Sequence, residues 1–389
     1  MIARLSSATL TLVLASLVTA GVAPLAGCGD QDPPASPDAP PEVDAATDAP
    51  PPIDGPPIDS AVMCMAGATD YTPRDMNSAN DPYPMCISDA MPDRYSQIGA
   101  SVSSIARIAA FEEMAQRLFI AGAPSNQAFI DARTQYELAE GLGSRVSRRE
   151  DEHYPAAPMA CNAVGFDPTL FPDRCVGPAK LVPLIQSALM TGGSSADPRE
   201  RRLAAARVEG GLLWFLYVSM HKEATTCRTA PADCDSHWAY YGGGEHRDAG
   251  KGFARYVRAL DLETHQRIFD AILAVRCWRG LDDVANAGDD AMFAEFRTRA
   301  LAQLDTATLR GVVLIIKSRL QRLDTQTGVD AEVTWELLRT LGPVLNRAAT
   351  AAGGAQATTW TTEIAEPAVP DQAERDAMHH ALDVLFPCP

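Results

Sequence analysis

From about residue 95 onward, apolar side chains return every three to four positions, the spacing of one face of an α-helix. Ile98, Val102, Ile105, Ala109, Met114 and Leu118 follow this rule and predict a helix over about 95–120. Pro124-Ser125 supplies a start signal for a second helix, which Phe129, Tyr136 and Leu142 carry to about 150. Pro155, Pro158, Pro168 and Pro172 break the next stretch, and a short helix at 179–190 follows. Asp197-Pro198 then puts a capping residue before a proline at the first helical position. The helix it opens runs to about 225 through Leu212, Leu213, Trp214, Phe215, Leu216, Tyr217 and Val218. Such unbroken apolarity leaves no face for water and predicts a central helix wrapped by others.

Beyond Gly242-Gly243-Gly244 the pattern predicts helices at about 248–260, 262–278, 288–304, 306–323, 329–350 and 371–386. Val312 to Ile316 have strand propensity, yet Thr306 and the flanking Arg and Lys residues suit a buried helix better. No strand-turn-strand pattern occurs. The expected fold class is therefore all-α, a multi-helix bundle built either as one large domain or as two packed halves.

The first sixty residues follow other rules. Arg4, an apolar run from Leu10 to Val22 and a small-residue stretch compose an export signal. Its last residues, Leu25-Ala26-Gly27-Cys28, resemble the lipobox of bacterial lipoproteins. The resemblance implies cleavage before Cys28, acylation of that residue and attachment to a lipid bilayer. Gly29 follows where inner-membrane lipoproteins tend to carry Asp, so the resemblance favours the outer membrane. Residues 29–60 hold ten prolines, eight carboxylates and no Lys or Arg. Such a chain cannot bury enough apolar surface to fold, and at ~3 Å per residue it could hold the body on the order of 90 Å from the bilayer. The expected organisation is a signal peptide at 1–27, a disordered tether at 28–62, an irregular collar at 63–94 and a helical domain at 95–389.

The net charge is −17, and the tether accounts for eight of those charges. The remaining body is still acidic, which argues against nucleic-acid partners. With Cys28 committed to lipid, eight cysteines remain in an exported chain, and disulfides are their expected fate. Short loops close at least entropic cost, which favours Cys64 with Cys86, Cys161 with Cys175 and Cys227 with Cys234, leaving Cys277 for Cys388.

Histidine is scarce, and three of the seven fall between 221 and 246. That segment also carries Glu223, Trp238, Tyr240, Tyr241 and Glu245 between His221, His237 and His246, where a buried helix is expected to emerge into a loop. Aromatic walls with a few polar groups are how proteins hold small ligands. The expectation is that these eight side chains surround a concavity that binds a small molecule or a protein partner. Zinc held by Cys227, Cys234 and His237 is outweighed by a disulfide, because the spacing fits no compact zinc finger. Glu150-Asp151-Glu152-His153-Tyr154 is read as a charged helix end rather than a metal site. Gly250-Lys251-Gly252 lacks the strand and hydroxyl of a phosphate loop, and no His-Glu-x-x-His or Gly-x-Ser-x-Gly occurs. An enzyme is the less favoured reading, and the residues name no cofactor.

A helical, exported chain with His221 and Glu223 near a central helix is similar to imelysin-type proteins, which are implicated in iron uptake and carry Gly-x-His-x-x-Glu. Ser219 stands at the Gly position here and Ala224 at the Glu position. The resemblance implies an iron-binding alternative to the ligand-binding reading.

Overall fold

The computed structural model describes residues 94–120, 122–138, 141–281 and 291–387. The signal peptide, the tether and all of the collar but Arg94, with Cys28, Cys64 and Cys86, lie outside the described residues, as does Cys388. Among the described residues the fold is all-α. In chain order the helices are α1 (Ser103–Ala115), α2 (Asn126–Glu137), α3 (Leu142–Val146), α4 (Val182–Ser194), α5 (Pro198–Thr226), α6 (Pro231–Gly242) and α7 (Phe253–Leu260). They continue with α8 (Leu262–Leu281), α9 (Ala291–Leu323), α10 (Gly328–Leu341), α11 (Asn346–Ala352), α12 (Gly354–Glu363) and α13 (Gln372–Leu385). One contiguous core of buried side chains runs from Tyr95 to Leu382 and includes residues of every one of these helices, down to Leu142 of α3 and Ala349 of α11.

Helix α5 is the axis. It begins where the sequence signals it, with Asp197 accepting a hydrogen bond from the backbone N–H of Arg199 and Pro198 at the first turn. It is long and apolar enough to cross a membrane, but 94% of its apolar window is buried inside the body, as a core helix requires. Helices α4, α6, α9 and α10 pack around it. Two glycines let them approach closely: a Cβ at Gly210 would meet the Thr340 side chain at 2.8 Å, and one at Gly211 would meet Leu184 at 2.9 Å. Removing the cap with Asp197→Ala is expected to cost about 1 kcal/mol, read as a lower midpoint in urea denaturation with an unchanged slope.

Several elements differ from the periodicity reading. The helix expected from 95 begins only at Ser103, because the backbone N–H groups of Ile98 and Gly99 donate to the Asp235 carboxylate of α6 (3.0 and 2.7 Å) and hold the preceding residues out of a helix. The second helix stops at Glu137 rather than near 150. The break expected between 304 and 306 is absent. Helix α9 runs unbroken through Asp305-Thr306, since Asp305 turns its carboxylate toward His153 and Tyr217 instead of capping a new helix. Helix α12 was not expected from its Thr-rich sequence. Trp360, fully buried, anchors it. The expected loop after Cys227 is mostly helix α6, started by Pro231 and ended by Gly243 in the left-handed region (φ 70°).

Two disulfides, Cys161 with Cys175 and Cys227 with Cys234, join the cysteines nearest in sequence. Cys277 is also disulfide-bonded.

Candidate functional site

The first polar cluster of note forms on one face of α5. Tyr217 and His221 are four residues apart and so lie one above the other on the helix. Asp305 reaches them from the middle of α9 and Arg347 from α11. The remaining side chains, Asp151 and His153, come from the irregular segment after α3. Several contacts tie that segment down. Arg174 pairs with Glu150 and Glu152, both at 2.9 Å, and also donates to the carbonyls of Asp151 and Tyr154. The Cys161–Cys175 disulfide braces the rest, and the Asp151 N–H donates to the Arg174 carbonyl at 2.8 Å.

His153 lies between two carboxylates. Its Nδ1 is 2.5 Å from Asp151 Oδ1 and its Nε2 is 2.8 Å from Asp305 Oδ1. The Tyr217 hydroxyl donates to the same Asp305 oxygen at 3.3 Å, and His221 Nδ1 stands 3.8 Å from it. Arg347 Nη2 lies 3.6 Å from the other oxygen of Asp305. The imidazoles of His153 and His221 are stacked, with centroids 3.7 Å apart and planes 17° from parallel.

These neighbours divide the two histidines electrostatically. Burial works against the charged form of His153, but the hydrogen bonds and charges of Asp151 and Asp305 outweigh it and raise the pKa to about 9. His221 is pushed the other way, to about 4, by burial and by the charge on His153. Burial would raise the Asp305 pKa, yet the His153 hydrogen bond and the charges of His153, His221 and Arg347 bring it below the usual carboxylate range. At neutral pH the cluster is thus an imidazolium between two carboxylates with a neutral imidazole stacked upon it.

One ligand atom from each of His153, His221 and Asp305 lies within 4.8 Å of the others. Two imidazoles and a carboxylate are the donor set of zinc and non-haem iron centres, and three protein ligands leave coordination positions for water or substrate. Asp151 on the far nitrogen of His153 is the outer carboxylate that orients a metal-bound histidine. Stacked rings aim their nitrogens in parallel, so coordination of one ion at about 2.0–2.1 Å requires one ring to tilt and the proton on His153 Nε2 to leave.

Of the eight residues expected to surround a concavity, only His221 belongs to this cluster. Glu223 is instead buried in an ion pair with Arg149 at 2.9 Å. His237, Trp238, Tyr240 and Tyr241 are core side chains, each at most 1% exposed. Packing explains this: Trp238 stacks on Tyr95 at 4.5 Å with its indole N–H on the Glu245 carbonyl, and Tyr240 meets Phe215 edge-on. Tyr241 donates to His265 Nδ1 at 2.8 Å, while His265 Nε2 donates to the Arg247 carbonyl at 2.7 Å. Glu245 pairs with Lys251 at the surface and His246 lies in the turn after α6.

The stretch 150–154, read as a charged helix end, is an irregular segment that delivers Asp151 and His153 to the cluster. Sequence reasoning missed Asp151, His153, Tyr217, Asp305 and Arg347. Only the spacing of Tyr217 and His221 within an otherwise apolar run could have signalled the site. Comparison with protein-family models, with curated proteins and with solved structures finds no match to this chain.

Proposed function

We propose that this chain is an exported lipoprotein, anchored through Cys28, whose helical body binds a transition-metal ion through His153, His221 and Asp305. The observation that carries the reading is the convergence of two imidazoles and a carboxylate from three separate parts of the chain, with their ligand atoms within 4.8 Å of one another. His221 and Asp305 keep side-chain exposures of 17% and 25%, enough for an ion to enter from solvent. The binding is non-enzymatic in this reading.

The test uses full-length protein stripped with a chelator and dialysed against zinc, cobalt or ferrous ion under anaerobic conditions. One ion per chain is expected by elemental analysis, with binding lost in His221→Ala and Asp305→Asn. Asp151→Asn, which removes only the orienting carboxylate, should weaken affinity about 10–100-fold. Absence of stoichiometric metal, or retention unchanged in both ligand variants, would leave the cluster as a buried charge network and reject the reading. The anchor is tested separately: Cys28→Ala should abolish incorporation of labelled palmitate and release the protein from membranes. Palmitate labelling that persists in the variant would refute it.

A further inference from the structure

A second site lies farther along α5. Between α5, α9 and α10 opens a cleft of ≈ 330 Å³, room for about ten non-hydrogen atoms at the ~30 Å³ that each water occupies. Its polar base is Glu209 of α5, which accepts from the Tyr256 hydroxyl and from Arg319 Nη2, both at 3.0 Å on the same oxygen. Glu209 precedes Tyr217 by eight residues, so the cleft is about 12 Å along the helix from the histidine cluster.

Arg319 and Gln326 keep N–H donors beyond the bonds they make in the described residues. Arg319, with a side chain only 15% exposed, meets no acceptor other than Glu209 among the described residues, although a guanidinium carries five N–H groups. Arg202 donates to Asp330 at 2.5 Å, its one bond among the described residues. Gln326 accepts from the Thr334 hydroxyl through its amide oxygen and keeps its NH₂ as a donor. The cleft's two carboxylates, Asp330 and Glu209, are met by Arg202 and Arg319, and Glu209 already accepts two bonds on one oxygen, so the spare N–H groups of Arg319 are left for a ligand. Leu118, Phe119, Val333 and Leu337 supply apolar wall. Leu118 and Phe119 belong to a π-helical turn at Gln116–Ile120, a distortion that is frequent where a helix borders a functional site.

We propose that this cleft binds a small organic carboxylate with an apolar body. The Arg319 guanidinium takes the carboxylate in its fork and the apolar wall takes the body. An inorganic anion would leave that wall wet, and an uncharged molecule would leave the Arg319 donors unmatched.

Calorimetric titration of the full-length protein tests this with three probes: phenylpropionate, its uncharged amide, and inorganic phosphate. Phenylpropionate should saturate one site, with the amide weaker by about ten-fold or more because it loses the charge-assisted bonds. Val333→Trp, which fills the cleft, should abolish saturation. Arg319→Lys, which keeps a charge beside Glu209 but loses the fork, should weaken it by about ten-fold. Equal affinity for acid and amide, phosphate binding as tight as phenylpropionate, or unchanged affinity in Arg319→Lys would each overturn the proposal. So would the absence of saturable heat with phenylpropionate.

Discussion

Replacing Arg149 with Met is expected to destabilise the body by about 3–5 kcal/mol, because a buried ion pair that loses one partner leaves the other charge uncompensated. Arg149 and Glu223 each keep only 4% of their side-chain surface in contact with solvent and meet at 2.9 Å. The guanidinium also lies over the rings of Phe215 and Tyr240, at 5.6 and 5.4 Å from their centres. Removing it strands a carboxylate in the core with Lys222, at 3.2 Å, as the remaining cation. Burial would raise the Glu223 pKa, and the charges of Arg149 and Lys222 presently hold it below the usual range. The variant therefore carries either an undercompensated charge or a buried protonated acid. A double variant, Arg149→Met with Glu223→Leu, removes both charges and should recover most of the loss, because packed apolar groups replace a buried pair at little cost. Urea denaturation of the two variants decides the matter. A double variant as unstable as the single one would show that the pair acts through something other than mutual compensation.

This pair also shows where sequence reasoning reached its limit. Glu223 looked like a ligand because it lies two residues from His221 near the expected end of a helix. Whether a carboxylate meets a metal or a guanidinium depends on what the fold brings opposite, and Arg149 comes from 74 positions earlier in the chain. The same holds at the histidine cluster. His153 meets Asp305 across 152 positions and Tyr217 meets Asp305 across 88, separations that leave no local pattern. The aromatic residues of α6 were read as a binding wall for the opposite reason. Their density was visible, but density alone does not tell a ligand pocket from a core, and here Trp238 packs on Tyr95 and Tyr240 on Phe215.

Fold class was more legible. The 3.6-residue period, the Asp197-Pro198 start and the unbroken apolar run of α5 all express local physics that tertiary packing only reinforces. Boundaries failed where a tertiary contact overrode a local signal. Asp235 took the backbone donors that would have begun a helix at 95, and Asp305 was spent on the site instead of a cap.

The other large effect is expected on acidification, and His237 is its source. The imidazole is fully buried in α6, with the Tyr95 ring edge-on at 6.2 Å. Neither ring nitrogen has a hydrogen-bond partner at normal distance. Burial drives its pKa down to about 4, against weaker upward pulls from the carbonyls of Ile272, Cys234 and Asp233 and from the Asp235 charge. In the unfolded chain the same group titrates near 6.5. Below about 6.5 the unfolded state therefore takes up a proton that the folded state refuses until the pH approaches 4. Stability is full above that window and falls as pH drops through it, by on the order of 3 kcal/mol for this group. His265, also lowered mainly by burial, adds to the loss with the same sign. His237→Leu removes the His237 contribution alone, and the apolar surroundings accept it. Denaturation of metal-free protein at pH 7 and at pH 4.5 should show the variant losing about 2–3 kcal/mol less than the unmodified chain. Carboxylates and the other histidines titrate alike in both proteins, so the difference between the two drops isolates His237. Equal drops would mean that His237 becomes protonated in the folded state near its ordinary pKa, with the three carbonyls serving as true acceptors.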